Sequence, residues 1–461
     1  MRETTQDRLI SLDVFRGMTI AGMVLVNNPG GSPVYWPLDH AEWNGLTPTD
    51  WIFPFFLFIV GVAISISLGK RVSARPDASA YWKIVSRAAS IYLLGAAISI
   101  VPFFQFQSTD APDPLKMLIW LAFSASLLFL LLRNFRVAAV LCVVALLGIA
   151  GMNLAGYNVV PYNYGTLRIF GVLQRIAVCY FATSLIFLHT TWKQQVGIAI
   201  ALLLGYWLIM TTIPVPGCEV TTVSDKACNL AAYIDRMVLG ENHIWRFGKV
   251  YDPEGILSTI PAIVTTISGV LTGTWLLSVP RTVATGAVER DPSDASGDGE
   301  SPLATASSTD TRLNKVSGIF FFGVALLALG LIWNNYFPMN KAMWTSSYVL
   351  ATSGLALLTL GFCYWLIDIK GYGRWAWPFK VFGANALALF VFTGFFARMI
   401  AAYRVSGEDG QLISIQRRVM NHVYSPLFQP INASLAFAIS FILLWLFLMW
   451  LLYRKQIFIR V

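Results

Sequence analysis

The sequence predicts an all-α fold: a polytopic transmembrane helical bundle of about 12 helices with both termini on the cytoplasmic side (N-in, C-in). Three observations lead there. Of 461 residues, 56% are hydrophobic and only 12% charged, whereas ordinary soluble domains carry about 25% charged residues. The apolar residues fall in runs of about twenty, the length a helix needs to cross about 30 Å of hydrocarbon. Aromatic residues make up 14% of the chain, including 16 Trp, which suits belts at the two membrane interfaces. A soluble enzyme of this size is excluded.

The apolar runs read as spans at about 12–28, 51–69, 83–103, 115–132, 137–156, 170–189, 195–213, 256–278, 316–336, 346–368, 380–402 and 433–453. The first carries Asp13 and Arg16 and runs into Asn27 and Asn28 without a small-residue cleavage site, so it is expected to stay as a span and not to act as a removed signal. With the N-terminus inside, 19 of the 33 Lys and Arg lie in cytoplasmic segments, 10 lie in outer segments, and Arg16, Arg87, Arg175 and Arg398 lie within spans. That bias is the usual one for cytoplasmic loops. The net charge of +9 therefore reads as an orientation signal, and no nucleic-acid partner is expected. Cys142, Cys179 and Cys363 fall inside apolar spans and read as small buried hydrophobes. Cys218 and Cys228 lie together in the outer loop 214–255, where oxidation is permitted, and a disulfide between them is expected. The stretch 279–315, rich in Pro, Ser, Thr, Asp, Gly and Glu, has too few aliphatic residues to bury and reads as a disordered cytoplasmic linker. It separates eight spans in 1–278 from four in 316–461.

Polar groups within spans are costly and mark functional candidates. Asp13 and Arg16, three residues apart, share a helical face. They form either a structural ion pair near the cytoplasmic end or part of a site for an anionic ligand. Arg87 and Arg175 lie within apolar runs, and few carboxylates accompany them. A phosphorylated ligand would supply the missing negative charge, with Lys83 as a further cation. No Walker loop, dinucleotide fingerprint, metal-ligand spacing or nucleophile elbow is present, so no metal is expected.

The first span ends in Val26-Asn27-Asn28-Pro29-Gly30-Gly31, and the outer loop 29–50 continues through His40-Ala41-Glu42-Trp43-Asn44-Gly45 to Asp50. Of four histidines in the chain, His40 is the one set among carboxylates, amides and glycines. It is either a solvated loop residue or a general base oriented by Glu42 or Asp50.

With these residues assembled, the chain resembles the heparan-alpha-glucosaminide N-acetyltransferase family, the membrane acetyltransferases and their bacterial homologues. The resemblance runs from end to end through RLISLDVFRG (8–17), MVLVNNPGG (23–31), HAEWNGLTPTDWIFPFFLFIVG (40–61), GVLQRIAVCYF (171–181), PVPGC (214–218), AAYIDRMVLG (231–240), YDPEGILSTI (251–260), NKAMWTSSYVL (340–350), PFKVFGANAL (378–387) and LYRKQIF (452–458). It implies a multi-pass enzyme that takes acetyl-CoA, as co-substrate, from the cytoplasm and acetylates the amine of a glucosamine-type sugar beyond the membrane. The family's catalytic histidine falls on His40 and its site asparagine on Asn27. The family also suggests a homodimer, and the bacterial look suggests an inner membrane with loop 29–50 periplasmic. Arg16, Arg87, Arg175 and Lys83 are candidates for the CoA phosphates. Asp13, Asn44, Asp50, Glu254, Lys341 and Asn385 are candidates for organising the site or the sugar. Spans 115–132 and 137–156 look like an insertion relative to the animal enzyme, whose extra amino-terminal lumenal region has no counterpart in the resemblance. A secondary transporter for amino sugars shares the span count and intramembrane arginines, though no internal repeat is visible to favour it. An O-acyltransferase of surface glycans is the third reading. A membrane-impermeant maleimide should label Cys218 and Cys228 only after reduction; labelling of unreduced protein would show free thiols.

Overall fold

The computed structural model describes residues 9–72, 77–278, 302–407 and 410–459. The long helices are α1 (Ile10–Asn27), α2 (Ile52–Val72), α3 (Ala78–Ile100), α4 (Asp113–Leu131), α5 (Phe135–Leu154), α6 (Val172–His189) and α7 (Trp192–Thr212). After the short α8 (Leu230–Leu239) come α9 (Thr259–Leu277), α10 (Pro302–Trp333), α11 (Ser346–Cys363), α12 (Trp377–Ala384) and α13 (Ala386–Ala402). A hairpin of β1 (Arg404–Ser406) and β2 (Leu412–Ser414), the short α14 (Ile415–Val419) and the long α15 (Pro430–Arg454) complete the chain. Among the described residues eleven helices are long and apolar enough to cross a membrane, or twelve if the bent pair that includes α12 and α13 counts as one span.

The helices form two shells. In α1, α2, α6, α9 and α11, 61% of the apolar window is buried inside the protein, against 17% in α5 and 28% in α4, α7 and α15. The inner five therefore build the core, and the outer helices turn apolar residues such as Leu147, Phe321 and Leu443 outward, as lipid contact requires. Hydrocarbon offers no hydrophobic gain for helix pairing, so close packing of small residues takes over. A Cβ on Gly61 of α2 would lie 1.9 Å from the Thr266 carbonyl oxygen of α9, and one on Gly269 would lie 2.0 Å from that of Phe58. Between α1 and α12, a Cβ on Gly17 would lie 1.7 Å from the Phe379 oxygen and one on Gly383 2.0 Å from that of Asp13.

Loop contacts sort the two ends. At the end reached by α1, Gly30 N–H donates to Ser434 O (3.2 Å), Gln105 N–H to Val160 O (2.8 Å) and Ile169 N–H to His243 O (3.1 Å). At the opposite end the N–H groups of Ile10 and Ser11 donate to Asp368, and Lys315 Nζ caps the carbonyl of Leu276 at 2.7 Å.

Three features depart from the sequence reading. The span expected at 380–402 is broken, with a 72° bend. Asn385 supplies the reason: its side chain donates to Ile457 O and accepts from Ile459 N–H at 2.9 and 2.8 Å, so the C-terminal segment docks where the helix ladder is interrupted. The segments between the long helices contain α8 and the β1–β2 hairpin, which no long apolar run announces. Of the linker expected at 279–315, residues 279–301 lie outside the described residues, and 302–315 form the opening turns of α10. Gly17→Ala should lower the melting temperature in detergent, since overpacking costs about 1–3 kcal/mol. Gly22→Ala, whose Cβ meets only the Ile52 side chain at 3.4 Å, should be near neutral. Equal effects would dissociate the α1–α12 contact from stability.

Candidate functional site

The loop between α1 and α2 ends in a capping box. Thr47, Pro48, Thr49 and Asp50 form the first turn leading into α2, with the Asp50 side chain returning to the Thr47 backbone, and proline suits the first helical position. Asp50 Oδ2 accepts from Thr47 N–H (3.1 Å), Thr47 Oγ1 (2.9 Å) and Ala41 N–H (3.2 Å). Oδ1 is left for His40 Nδ1 at 2.7 Å. The Asp50 side chain is 1% exposed and that of His40 50%, so a fixed buried carboxylate holds an imidazole whose other edge is accessible. A carboxylate only accepts, so Nδ1 carries the hydrogen and Nε2 the lone pair.

Lys341, from the loop between α10 and α11, completes the group. Its Nζ lies 3.1 Å from His40 Nδ1, 3.3 Å from Nε2 and 3.5 Å from Asp50 Oδ1. Burial pushes the Lys341 ammonium below its ordinary value, while Asp50 and Glu254 oppose the shift. Tyr348 of α11 donates to the backbone carbonyl of Asp50 at 2.6 Å. Lys341 and Tyr348 thus bind the histidine loop to the α10–α11 region.

The rest of the motif docks on neighbouring loops. Trp43 Nε1 donates to Val223 O (2.9 Å), and its ring packs edge-on to Tyr251 with centroids 4.8 Å apart. Asn44 donates to Ser224 Oγ (2.9 Å) and accepts from Asn340 Nδ2 (3.1 Å). Gly45, at φ +128°, donates its N–H to Met339 O at 2.8 Å. The loop receiving Trp43 is braced by a disulfide between Cys218 and Cys228, with Cα atoms 5.8 Å apart.

Beneath this surface lies an ionic network. Arg168 grips Asp252 through Nε (2.9 Å) and Nη2 (2.5 Å) and also bonds Glu254. Burial disfavours the Arg168 charge, yet Glu254 and Asp252 hold its pKa above the ordinary value. Arg175 is 0% exposed. Its Nη2 donates to Gly255 O (3.1 Å) and to Ser258 Oγ, and the guanidinium lies over the Trp344 ring at 5.1 Å. Asp235 of α8 accepts from Ile256 N–H at 2.9 Å. Burial pushes its pKa up to about 6. Arg168, Asp252, Asp235, Tyr348 and Trp344 were not singled out in the sequence. The acidic pair around Pro253 in YDPEG, two residues apart, is the signal that was available.

The expected site residues divide between the two ends. Asp50, Lys341, Asn44 and Glu254 gather around His40, directly or through the network. Asn27 is exposed at the last turn of α1, where the histidine loop begins. Arg175 is enclosed at this same end, by Gly255, Ser258 and Trp344. Arg16 lies 3.5 Å from Asp13 and 3.4 Å from Gly383 O in the other half of the bundle, where Asn385 holds the C-terminal segment. Lys83 and Arg87 are exposed on the first half of α3, with Arg87 over the Tyr180 ring at 5.2 Å. The four candidate phosphate-binding cations therefore do not converge.

Fold and site together define a polytopic helical membrane protein with a histidine–carboxylate–lysine centre at one end. Residues 8–161, which contain that histidine and carboxylate, match the family described as "Heparan-alpha-glucosaminide N-acetyltransferase, catalytic", in keeping with the resemblance read from the sequence. The chain is 27% identical to the human heparan-alpha-glucosaminide N-acetyltransferase over 429 residues, covering 83% of this chain and 52% of the human protein. It is 26% identical to the mouse protein of that name over 439 residues, covering 85% and 54%. The chain spans about half the length of these curated relatives.

Asp235→Asn keeps an acceptor for Ile256 and removes a disfavoured charge. An ordinary carboxyl titrates near 3.9 and this one near 6. The charge penalty is thus fully present above pH 6 and gone below pH 4. The variant should melt higher at pH 7, by on the order of 1–3 kcal/mol, and lose that advantage between pH 6 and 4. A pH-independent difference would contradict the assignment.

Proposed function

We propose that this protein transfers the acetyl group of acetyl-CoA to the amine of a glucosamine-type sugar, with His40 as general base. The half-exposed imidazole backed by the buried Asp50 carboxylate carries this reading. Asp50 fixes the tautomer, leaving the Nε2 lone pair to take a proton from the amine as it attacks the thioester carbonyl. A C–N bond forms, the C–S bond breaks, and the thiolate leaves to be protonated. Asn27, exposed where the loop departs α1, is suited to donate to the carbonyl oxygen as charge develops, a role worth on the order of 3 kcal/mol per donor. Lys341 positions the imidazole, and the Asp50 carboxylate compensates the positive charge that His40 gains when it takes the proton.

Acetyl-CoA supplies the acyl group as a thioester, and its phosphates call for cations. Arg16, Lys83 and Arg87 lie in the half of the bundle opposite His40, and their chemistry fits that demand. Arg175, enclosed beside the network, is better suited to holding Gly255 and Ser258 in place. Arg16 and Asn27 are separated by about 16 Å of helix rise, so this division implies a donor entering from one face and an acceptor amine at the other. The excess of Lys and Arg at the Arg16 end supports a cytoplasmic donor and, in a bacterial inner membrane, a periplasmic acceptor.

His40→Ala should reduce acetyl transfer to glucosamine by 10²-fold or more, and Asp50→Asn by a comparable factor, with mass spectrometry of the amide product as the measurement. Full activity in His40→Ala would remove it from catalysis. An alkali-labile ester product would indicate O-acylation, and sugar uptake into liposomes without acetyl-CoA would indicate transport.

A further inference from the structure

Lys341 brings a primary amine of the protein's own to the imidazole. The turn that carries it is locked in place. Asn340 is 0% exposed; its side chain accepts from Met343 N–H at 2.9 Å and donates to Asn44 Oδ1 at 3.1 Å, and its N–H donates to Thr345 Oγ1 at 3.0 Å. Met339 O accepts from Gly45 N–H at 2.8 Å, which ties the same turn to the histidine motif. The Lys341 side chain is 26% exposed, and its Nζ stands 3.3 Å from His40 Nε2.

An amine that hands a proton to Nε2 lies within hydrogen-bond reach of it, about 2.6–3.2 Å, and attacks an acyl carbon about 3–3.5 Å away. Nζ thus sits at the edge of the shell that an external acceptor amine has to enter. With that amine absent, Nζ is the nucleophile presented to a thioester carbonyl held there. Charge restrains it. An ammonium has no lone pair, and Asp50 Oδ1 at 3.5 Å and Glu254 favour that form, whereas burial favours the neutral amine. Desolvation is an ordinary means of making a lysine nucleophilic.

We propose that Lys341 is a self-acetylation site: with no sugar amine in the centre, Nζ takes the acetyl group of the donor and the centre is silenced. The inference rests on the acetyl-transfer reading and adds a second acceptor to it. The ammonium gives one proton to His40 Nε2, and the freed lone pair attacks the thioester carbonyl. The C–N bond forms, the C–S bond breaks, and the leaving thiolate takes a second proton from the acylated nitrogen. His40 returns its proton to solvent, so the products are acetylated Lys341, CoA thiol and one proton. A sugar amine does not displace an amide, so the modified lysine is a dead end and not an intermediate. Acetylation removes the Lys341 charge, and with it the ion pair to Asp50.

The test incubates purified protein in nanodiscs with trideuteroacetyl-CoA, whose label is distinct from acetyl groups acquired during expression, and maps lysines by peptide mass spectrometry. Without acceptor, Lys341 should be labelled at least about 10-fold faster than the exposed Lys193. His40→Ala should slow Lys341 labelling by about 10²-fold or more and leave Lys193 unchanged. Saturating glucosamine should suppress Lys341 labelling in the unaltered protein, an arm that depends on no variant folding. Transfer to glucosamine after preincubation should fall in step with the label. Lys341 left unlabelled in protein that acetylates glucosamine would overturn the inference alone. So would labelling no faster than at Lys193, labelling unaffected by glucosamine while that sugar is being acetylated, or full transfer by fully labelled protein. Label on Lys341 without glucosamine product would uphold the inference and redirect the search to another acceptor. Absence of both products would overturn the acetyl-transfer reading and the inference together.

Discussion

The buried carboxylate of Asp50 is the constraint on which the end of the protein that carries the histidine loop depends, because an ion removed from water must have its acceptor capacity filled. Local sequence fills part of it: the Thr47 N–H and hydroxyl and the Ala41 N–H close the turn that starts α2. The remainder needs His40 and Lys341, the latter 301 positions from the histidine. The same requirement that caps a helix thus recruits a distant loop, and the imidazole is oriented as a by-product of satisfying a charge. Tyr348, bonded to the Asp50 carbonyl, transmits that order to α11 in the inner shell.

Beyond this centre, the protein handles its few buried charges by pairing or enclosing them. Arg168 is matched by Asp252 and Glu254, and Arg175 is enclosed by carbonyl, hydroxyl and indole. These contacts join the connection before α6 to the one before α9, so the loops around His40 rest on a crosslinked base. The disulfide between Cys218 and Cys228 adds a covalent brace at the edge where Trp43 docks. Rigid support of this kind is what the proposed proton transfer at His40 needs, since such geometry must be held within about 0.5 Å.

Legibility in the sequence followed the range of the interactions. The spans were readable because crossing hydrocarbon demands about twenty apolar residues in succession, a property of a local window. Asn385 was readable as polar within a span, yet its effect, a 72° break filled by the C-terminal segment, was not, because Ile457 and Ile459 lie more than seventy positions away. Glu42 and Asp50 were equal candidates to orient His40 until the turn geometry selected Asp50. The arginines looked alike by hydropathy, and only packing separated Arg175, held by Gly255 and Ser258, from Arg16, held by Asp13 and Gly383.

The sequence by itself therefore determined the membrane setting, the long apolar helices, the pairing-competent cysteines and the loop that carries the histidine, since each follows from composition over neighbouring residues. Tertiary structure alone decided which carboxylate and which lysine meet that histidine, and which arginines share its end of the bundle. Those choices depend on how the turn before α2 folds and on contacts between residues as far as 301 positions apart, which no local window of sequence contains.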